Sequence, residues 1–377
     1  MIDARETHHT IVHRDEFAYC AHPHIEVAAD GTWLVVFNRA PRRAFTLHPP
    51  EDPLFHNVLI RSSDQGKTWC EPQVVPGYGF SGTECAGLTR LRDGGILLNQ
   101  WRFDWYPLGL ARSLADQSSL TYPTVFMRGW LASPEHDAAH LADRSMEDLA
   151  PWVRGYGRTY VHISSDNGAS FSEGPAISTS PYSGGYGMRG AIQLPDDTLV
   201  LPLSDVPNYQ RVFVVISKDG GHTWSQPIAV AGGDNENHAF EEPAIARCNS
   251  GKLLIVLRDN ITRHLHQTYS FDGGLTWSPA RRLEIEGYPA GLLLLADQRL
   301  LMTYGWRQPD YGIRAVLSQD DGVTWDTSHT IRIRSDLPNR NLGYPATIEV
   351  APNEFFTTYY GEDGHGTTCI QATYWRL

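Results

Sequence analysis

The chain has 377 residues, of which 11% are aromatic, and its 31 basic and 43 acidic side chains give a net charge of −12. This balance argues against duplex nucleic acid as a partner, because phosphate binding needs a basic surface. The five widely spaced cysteines form no Cys-x-x-Cys pair, which indicates reduced thiols, and no apolar run suits a signal peptide or a membrane span. We therefore expect a cytoplasmic protein without a metal or a cofactor.

An eight-residue pattern, Ser-x-Asp-x-Gly-x-Thr-Trp, occurs five times. The copies are Ser62–Trp69, Ser164–Phe171, Ser217–Trp224, Ser270–Trp277 and Ser318–Trp325, and their starts lie 102, 53, 53 and 48 residues apart. Each follows a strand-like run. The Asp can accept hydrogen bonds within a turn, the Gly can adopt positive φ, and the aromatic residue can pack beneath. The pattern predicts five hairpin turns with a structural role.

These octapeptides resemble the Asp-box (BNR) repeats of the sialidase superfamily, whose members are β-propellers. A second repeat supports this interpretation: six times, a short extended segment enters a polar turn and an apolar strand follows. The turns are Asp30-Gly31, Asp93-Gly94, Asp196-Asp197, Asn249-Ser250-Gly251, Asp297-Gln298 and Asn353. We predict an all-β, six-bladed propeller of four-stranded antiparallel blades, with residues 1–377 forming one domain.

Two segments depart from the repeat. Thr10–His13 precede the first blade, and we predict that they supply the missing outer strand of the last blade and so close the ring. Blade 2 carries an insertion of about 102–158, with a helical segment predicted over Ser133–Val153. Because long insertions in propellers gather on one face, this one either shapes a binding site or serves packing and dimerisation.

When the six hairpins are aligned by their turns, chemically active side chains gather at one mouth of the ring. The inner strands start at His22, Glu84, Met188 or Arg189, Glu242, Tyr288 and Tyr344, and the second strands end at Arg39, Arg102, Asp205, Arg258, Arg307 and Tyr360. Guanidinium groups bind carboxylates bidentately, although several of these arginines could instead pair with acidic residues between blades. The predicted substrate-binding residues are Arg39, Arg258, Arg314, Arg189, His24, Trp101 and Tyr288.

The resemblance also implies catalytic roles. Glu241-Glu242-Pro243 with Arg258 is similar to the sialidase blade that supplies a glutamate and a substrate-binding arginine, and Arg314 is similar to another arginine of that triad. Tyr344, in Gly343-Tyr344-Pro345, stands where sialidases keep their nucleophile. The resemblance therefore implies a Tyr344 nucleophile that Glu242 activates.

The chain departs from the family at two places. The first triad arginine is missing, because Ala21–Ile25, which includes His22, stands in its place, and Arg39, Arg42 or Arg43 could substitute for it. Glu84 occupies the place of the acid/base aspartate. We predict that Tyr344, Glu242, Glu84 and His22 are catalytic and that the substrate is an acidic sugar other than an ordinary sialoside.

Three hypotheses for function remain. The first is a glycoside hydrolase that acts on a carboxylated or otherwise anionic saccharide. The second is a uronate-specific lyase that uses His22, His24 and Tyr344 for proton abstraction, and the third is a non-catalytic glycan-binding propeller. The expected partner is an acidic saccharide, with neither nucleic acid nor membrane, and the oligomeric state is left open.

Overall fold

A computed structural model describes residues 1–42, 52–76, 81–118, 120, 152–233 and 237–377. Within these ranges the chain is almost entirely β, with a short helix at Leu108–Ser113 and a 3₁₀ turn at Thr327–His329. Neither described helix has the length and apolar character needed to cross a bilayer.

The strands form six sheets that follow one another along the chain as blades 1 to 6. Blade 1 contains Ala18–Val27, Trp33–Pro41, His56–Ser62 and Gln73–Val74. Blade 2 contains Ser81–Arg90, Ile96–Pro107, Trp152–Ser164 and Ala176–Ile177. Blade 3 contains Gly184–Tyr186, Ile192–Gln193, Leu199–Val206, Arg211–Ser217 and Ile228–Gly232.

The second half of the ring repeats this arrangement. Blade 4 contains Phe240–Arg247, Leu253–Asp259, His264–Ser270 and Arg281–Glu286. Blade 5 contains Tyr288–Leu294, Leu300–Trp306, Gly312–Ser318 and Ile331–Arg334. Blade 6 contains Gly343–Ala351, Glu354–Glu362, Thr368–Arg376 and Arg5–His13. The predicted six-bladed propeller is confirmed, except that the inner strand of blade 3 is split into two pieces.

The two ends of the chain close the ring. Arg5–His13, which includes the predicted Thr10–His13, pairs antiparallel with the C-terminal strand Thr368–Arg376. The inner strand of blade 6 packs against that of blade 1. Ile2–Asp3 adds an unpredicted fifth strand to blade 5, parallel to Ile331–Arg334. The strand edges that this closure covers are not available to pair with another chain.

Blade 2 extends beyond its neighbours as a two-stranded ribbon. The pairing of its second and third strands continues to Pro107 opposite Trp152, so that both ends of the predicted insertion are strand. The predicted helix over Ser133–Val153 is wrong at its last two residues, because Trp152 and Val153 pair with Pro107 and Tyr106. The rest of that prediction lies outside the described residues.

All five octapeptides form the same hydrogen-bonded turn, as blade 3 illustrates. Ser217 Oγ donates to Asp219 Oδ1 at 2.8 Å and accepts from the Gly221 N–H at 2.9 Å. The same carboxylate accepts from both the N–H and the hydroxyl of Thr223. Gly221 has a φ of +94°, which a residue with a Cβ rarely adopts. The hydrogen bonds lower the pKa of Asp219 to about 2, so the turn is formed around an ionised carboxylate at neutral pH.

The apolar core lies between neighbouring blades. Leu97 and Val161 of blade 2, for example, pack with Leu201, Phe213 and Val215 of blade 3. Each sheet thus buries both faces against the next, and the innermost strands are brought together at the centre of the ring.

Candidate active site

The floor of the site is made by bulges in the innermost strands. His22, Cys85, Glu242 and Tyr344 have φ values of +54°, +40°, +55° and +57°, and the pairing register shifts at each of them. Left-handed conformations of non-glycine residues are strained and cluster at functional sites, and bulges redirect side chains. Four blades thus break their regular alternation at the same level of the ring.

Tyr344 and Glu242 form the centre of this floor. The Tyr344 hydroxyl donates a short hydrogen bond to Glu242 Oε1, although the two residues come from blades 6 and 4. Arg258 Nη1 donates to Glu242 Oε2 at 2.7 Å and lies 3.5 Å from the Tyr344 hydroxyl oxygen. The tyrosine and the glutamate are each about 5% exposed. The structure therefore brings together the predicted nucleophile, its predicted base and one predicted arginine.

Glu241 reaches the same arginine as its neighbour. Its Oε1 lies 3.5 Å from Arg258 Nη1, and it accepts hydrogen bonds from the Asn260 amide and from the Tyr186 hydroxyl, the latter at 3.2 Å. Consecutive residues of a regular strand point to opposite faces. The bulge at Glu242 lets two consecutive carboxyl groups share one guanidinium.

The surroundings of Glu241 and Glu242 shift the pKa values of the two carboxyl groups in opposite directions. Burial and the charge of Glu242 raise the pKa of Glu241 to about 7. Burial also acts to raise the pKa of Glu242, but the charge of Arg258 and the hydrogen bonds from Tyr344 and Arg258 outweigh it and lower that pKa. Burial and the charge of Glu242 raise the pKa of Tyr344 well above its usual value. At neutral pH the centre consists of a neutral phenol bonded to an ionised carboxylate.

His22 packs against the Tyr344 ring, with ring centroids 4.2 Å apart. Burial lowers its pKa to about 4, so the ring is neutral near pH 7. Its Nδ1 lies 2.7 Å from Asn38 Oδ1.

A chain of buried amides sets the proton position on this ring. Gln100 Nε2 donates to the Pro76 carbonyl oxygen, which can only accept. Gln100 Oε1 therefore accepts from Asn57 Nδ2, and Asn57 Oδ1 accepts from Asn38 Nδ2. Asn38 Oδ1 is left to accept, so His22 carries its proton on Nδ1 and keeps a lone pair on Nε2.

Glu84 lies on the blade 2 side of the floor. It accepts a hydrogen bond of 2.8 Å from Arg154 Nη1, and Arg154 also donates to the Tyr209 hydroxyl. Burial raises the pKa of Glu84 despite the charge of Arg154, and Glu242 adds to the increase. Trp101 is 3% exposed and packs under the Arg154 guanidinium at 5.2 Å, so its visible role is to support that arginine.

Arg307 stands over the opposite side. Its guanidinium lies 4.9 Å from the ring centroid of Tyr288 and 6.0 Å from that of Tyr344. Its hydrogen bonds go to the Leu342 carbonyl and the Tyr360 hydroxyl. Arg154 and Arg258 are paired with glutamates, whereas no carboxylate among the described residues pairs with Arg307.

The structure places four predicted substrate-binding residues outside this cluster. Arg39 pairs with Asp15 and lines a separate groove with His13 and His56. Arg314 is 1% exposed and binds Asp310 and the Arg334 carbonyl within blade 5, because its side chain turns into that sheet.

Arg189 and His24 lie beneath the floor rather than at the mouth. Arg189 donates to the carbonyl groups of Pro23, Ala290 and Pro345, and His24 Nδ1 accepts from the Leu88 N–H. The bulges above them turn the chain by one residue, which separates these side chains from those of His22 and Tyr344.

Sequence reasoning missed three residues of the cluster. Strand alternation predicts that Glu241 and Glu242 point to opposite faces, so Glu241 was not predicted at the site. Arg154 was not predicted because it lies in the insertion. Arg307 was visible as the last residue after the second strand of blade 5, in the same alignment that gave Arg258, but the family pattern pointed to Arg314 instead.

A group of potential metal ligands lies away from the floor. His238, Asp259 and His266 place one ligand atom each within 4.8 Å of one another. Both Asp259 oxygens already accept hydrogen bonds, from the N–H groups of Ala239 and Ile261, from Thr262 and from His238. These contacts account for the carboxylate without an ion.

Comparisons with known proteins agree with the observed fold. A family model described as a BNR repeat-like domain matches residues 145–355. A curated sialidase from Bacteroides fragilis is 24% identical over 331 residues, which cover 82% of this chain and 54% of that protein. The chain thus spans about half the length of this curated relative.

Solved structures show the same fold. A protein of unknown function from Dyadobacter fermentans has a TM-score of 0.79 at 22% identity, covering 99% of this chain and 100% of its own. The NanB sialidase from Streptococcus pneumoniae, solved with a chlorobenzylammonio ethanesulfonate, has a TM-score of 0.69 at 13% identity, covering 98% and 70%.

Proposed function

The chain belongs to the BNR repeat-like domain family and has the six-bladed propeller of the sialidase superfamily, and from this premise we propose that it hydrolyses glycosidic bonds of an anionic saccharide. The observation that carries the proposal is the hydrogen bond from the Tyr344 hydroxyl to Glu242, inside a strained and buried floor. A sialidase is also the named activity of the curated relative.

In the proposed reaction, Glu242 takes the phenolic proton as the Tyr344 oxygen attacks the anomeric carbon. The bond from that carbon to the leaving group breaks, and the leaving oxygen takes a proton from a carboxylic acid. Water then attacks the anomeric carbon and gives a proton to the carboxylate that the acid left, and the Tyr344 oxygen departs with the proton that Glu242 returns. A neutral phenol suits an anionic substrate because it approaches without charge repulsion, and the raised pKa of Tyr344 keeps the phenol neutral until Glu242 accepts its proton.

We assign the acid to Glu84. Its pKa is raised by burial, which favours the protonated form that an acid must have at the start of the reaction. Arg154 opposes this effect and holds the carboxyl group in place. Glu241, with a pKa of about 7, stays partly protonated and limits the negative charge beside Glu242.

We assign recognition of the substrate anion to Arg307. A guanidinium already paired with a carboxylate has less to gain from a second anion, and Arg258 is held by Glu242 and Glu241. Within the described part of the chain, Arg307 donates to a carbonyl and a phenol and forms no ion pair. One uncompensated arginine favours a substrate with one negative group near the cleaved bond.

The test uses aryl glycosides of a 2-keto-acid sugar and of a uronic acid, with a neutral hexoside as control. We expect turnover of an anionic substrate, a loss of kcat of roughly 10³-fold or more in Tyr344→Phe, and an unchanged Tm. Tyr359→Phe is the matched control, because Tyr359 is a buried tyrosine of the same blade as Tyr344, but its hydroxyl contacts Arg334 and Thr373.

A slow fluorinated substrate would trap the intermediate for peptide mass spectrometry. A sugar bound covalently to Tyr344 supports the assignment, whereas full activity of Tyr344→Phe removes it. Binding without turnover across all substrates would favour the glycan-binding alternative.

A lyase is a second candidate, because His22 offers an unprotonated Nε2 beside Tyr344. This candidate is second because the Tyr344 hydroxyl donates directly to Glu242, whereas His22 contacts Tyr344 through ring packing. The ultraviolet absorbance of an unsaturated uronate product, released from a uronic-acid polymer, separates the two reactions, since hydrolysis produces none.

A further inference from the structure

A buried cation that forms no ion pair with any described residue lies at the centre of the propeller. Three described arginines are almost fully buried, and two of them have carboxylate partners: Arg154 pairs with Glu84 and Arg314 with Asp310. Arg189, the third, is 6% exposed. Among the described residues, its guanidinium donates to the carbonyl groups of Pro23, Ala290 and Pro345.

The charge of Arg189 persists at neutral pH. Burial lowers its pKa to about 10, and the negative charge of Glu242 acts in the opposite direction. Glu242 itself pairs with Arg258, so it compensates two cations at once. A buried charge is costly unless it is neutralised nearby, and carbonyl groups supply only dipoles.

A small cavity of about 50 Å³ adjoins this guanidinium. Arg189, His24, Thr303 and Thr347 supply polar groups to its wall, and apolar residues such as Leu301 supply the rest. The lining contains no acidic side chain. Roughly 10–15 Å³ of probe-occupied volume is enough for one water molecule, so a cavity of this volume has room for a single small ion.

The histidine in the wall presents a donor to the cavity. His24 Nδ1 accepts from the Leu88 N–H at 2.9 Å, so the proton of the neutral ring is on Nε2. Burial lowers the pKa of His24 to about 3, which keeps the ring neutral. Among the residues that the structure describes, the Nε2–H group has no hydrogen-bond partner. The cavity thus joins a cation, an unused N–H donor and two hydroxyl groups.

We propose that this cavity binds a monovalent inorganic anion of the halide class, with chloride as the physiological ligand. The guanidinium and the His24 N–H group would bind the ion. The Thr303 hydroxyl, which accepts from Thr347 at 3.4 Å, keeps its own proton for a further contact with the ion. The small volume disfavours phosphate or a carboxylate ligand, and a cation would meet the charge of Arg189 without any acidic ligand.

The proposed anion would stiffen the catalytic floor from below. Two carbonyl groups held by Arg189 belong to Pro23 and Pro345, which directly follow His22 and Tyr344. The anion would neutralise Arg189 and so favour the arrangement in which the guanidinium joins the inner strands of three blades. This inference does not depend on the proposed reaction, because halide binding is measured without a substrate.

The direct experiment is anomalous diffraction from crystals of the full chain grown in sodium bromide. We expect a bromide peak between the Arg189 guanidinium and His24 Nε2, at roughly 3 to 3.5 Å from each nitrogen, since halide contacts exceed the N–H···O range. An ordered water only, or no peak, would overturn the proposal.

Thermal unfolding provides a solution test. At fixed ionic strength, Tm should rise by a few degrees when sodium chloride or bromide replaces sodium gluconate, because a ligand that binds only the folded state stabilises it. Arg189→Met should lose this response. If that variant does not fold, Thr303→Val with Thr347→Val should reduce the response while retaining the fold. Arg299→Met, which removes a partly buried arginine that pairs with Asp297 outside the cavity, should keep it. Equal Tm values in all three salts would contradict the proposal.

Discussion

The two faces of the propeller are built in opposite ways. On one face, each octapeptide turn is closed by hydrogen bonds between residues no more than four positions apart, such as Ser217 with Gly221 and Asp219 with Thr223. On the other, the central hydrogen bond joins Tyr344 to Glu242, 102 positions away. The first face repeats one local solution, whereas the second is assembled once, from blades that meet only in the closed ring.

This difference separates stability from chemistry. Three of the turns also hold a non-glycine residue at positive φ, namely Gln65, Asn167 and Asp321, but the aspartates that close the turns lie at the surface. The floor contains non-glycine residues at positive φ, each costing about 1–3 kcal/mol, together with buried charges. The surrounding blades must supply that energy. Changes on the floor should therefore lower activity more than stability, and changes on the octapeptide face should lower stability more than activity.

The largest effect should come from the acid. Glu84→Gln should lower kcat/KM by roughly 10²–10⁴-fold for a sugar leaving group, but little for an activated aryl leaving group that needs no proton. Rates on the two substrate types check this. Glu241→Gln is the control from the same floor. If that variant, rather than Glu84→Gln, lost activity only on substrates with a sugar leaving group, Glu241 would be the acid.

The pH dependence of stability should report Glu241. Its pKa is about 7 in the folded protein against an ordinary value of 4.5, so the folded state holds the proton more tightly. The resulting stabilisation is complete below pH 4.5 and is lost as the pH rises through 7, on the order of 3 kcal/mol.

Urea unfolding between pH 4 and 8 measures this dependence. Glu241→Gln should flatten the decline, whereas Glu284→Gln, at an 83% exposed side chain, should not. An identical pH profile for wild type and Glu241→Gln would contradict the buried proton.

Anion recognition should depend on Arg307. Arg307→Met should raise KM for an anionic glycoside by roughly 10- to 100-fold, because a charge-assisted hydrogen bond contributes about 1.5–3 kcal/mol. Arg39→Met, in the separate groove, should leave KM unchanged. Steady-state kinetics that show the reverse order would restore the sequence-based choice of Arg39.

The smallest effect belongs to the octapeptide face. Ser217→Ala removes a buried hydroxyl that both donates and accepts, and should cost about 1–2 kcal/mol of unfolding free energy at unchanged kcat. Ser318→Ala should cost a similar amount, and the double variant should show the sum, because the turns lie in different blades. Chemical denaturation checks the values, and a loss of activity that exceeds the loss of stability would connect the two faces.

Much of the fold was predictable because its signals are short. The octapeptides and the polar turns gave six blades, and the apolar Thr10–His13 segment gave the closing strand. For the residues of the floor, the sequence patterns predicted the positions but not the roles. Strand ends marked Glu242, Arg258 and Tyr344, and the family resemblance supplied their expected roles.

The choice between candidate arginines was not predictable from the same patterns. Arg307 and Arg314 are seven positions apart in blade 5, yet one lies beside Tyr344 and the other binds Asp310 within its own sheet. A bulge of one residue turned Glu241 toward Arg258. These side-chain positions depend on the local twist of the strands and on how neighbouring side chains pack.

The amino-acid order fixes the repeats, the turns and the number of blades, because each is stabilised by contacts within a few residues. The ring decides which side chains share the floor, which arginines keep an unneutralised charge and which carboxyl group holds a proton. Those properties arise from desolvation and from charges on other blades, and both exist only once the blades have closed around the centre.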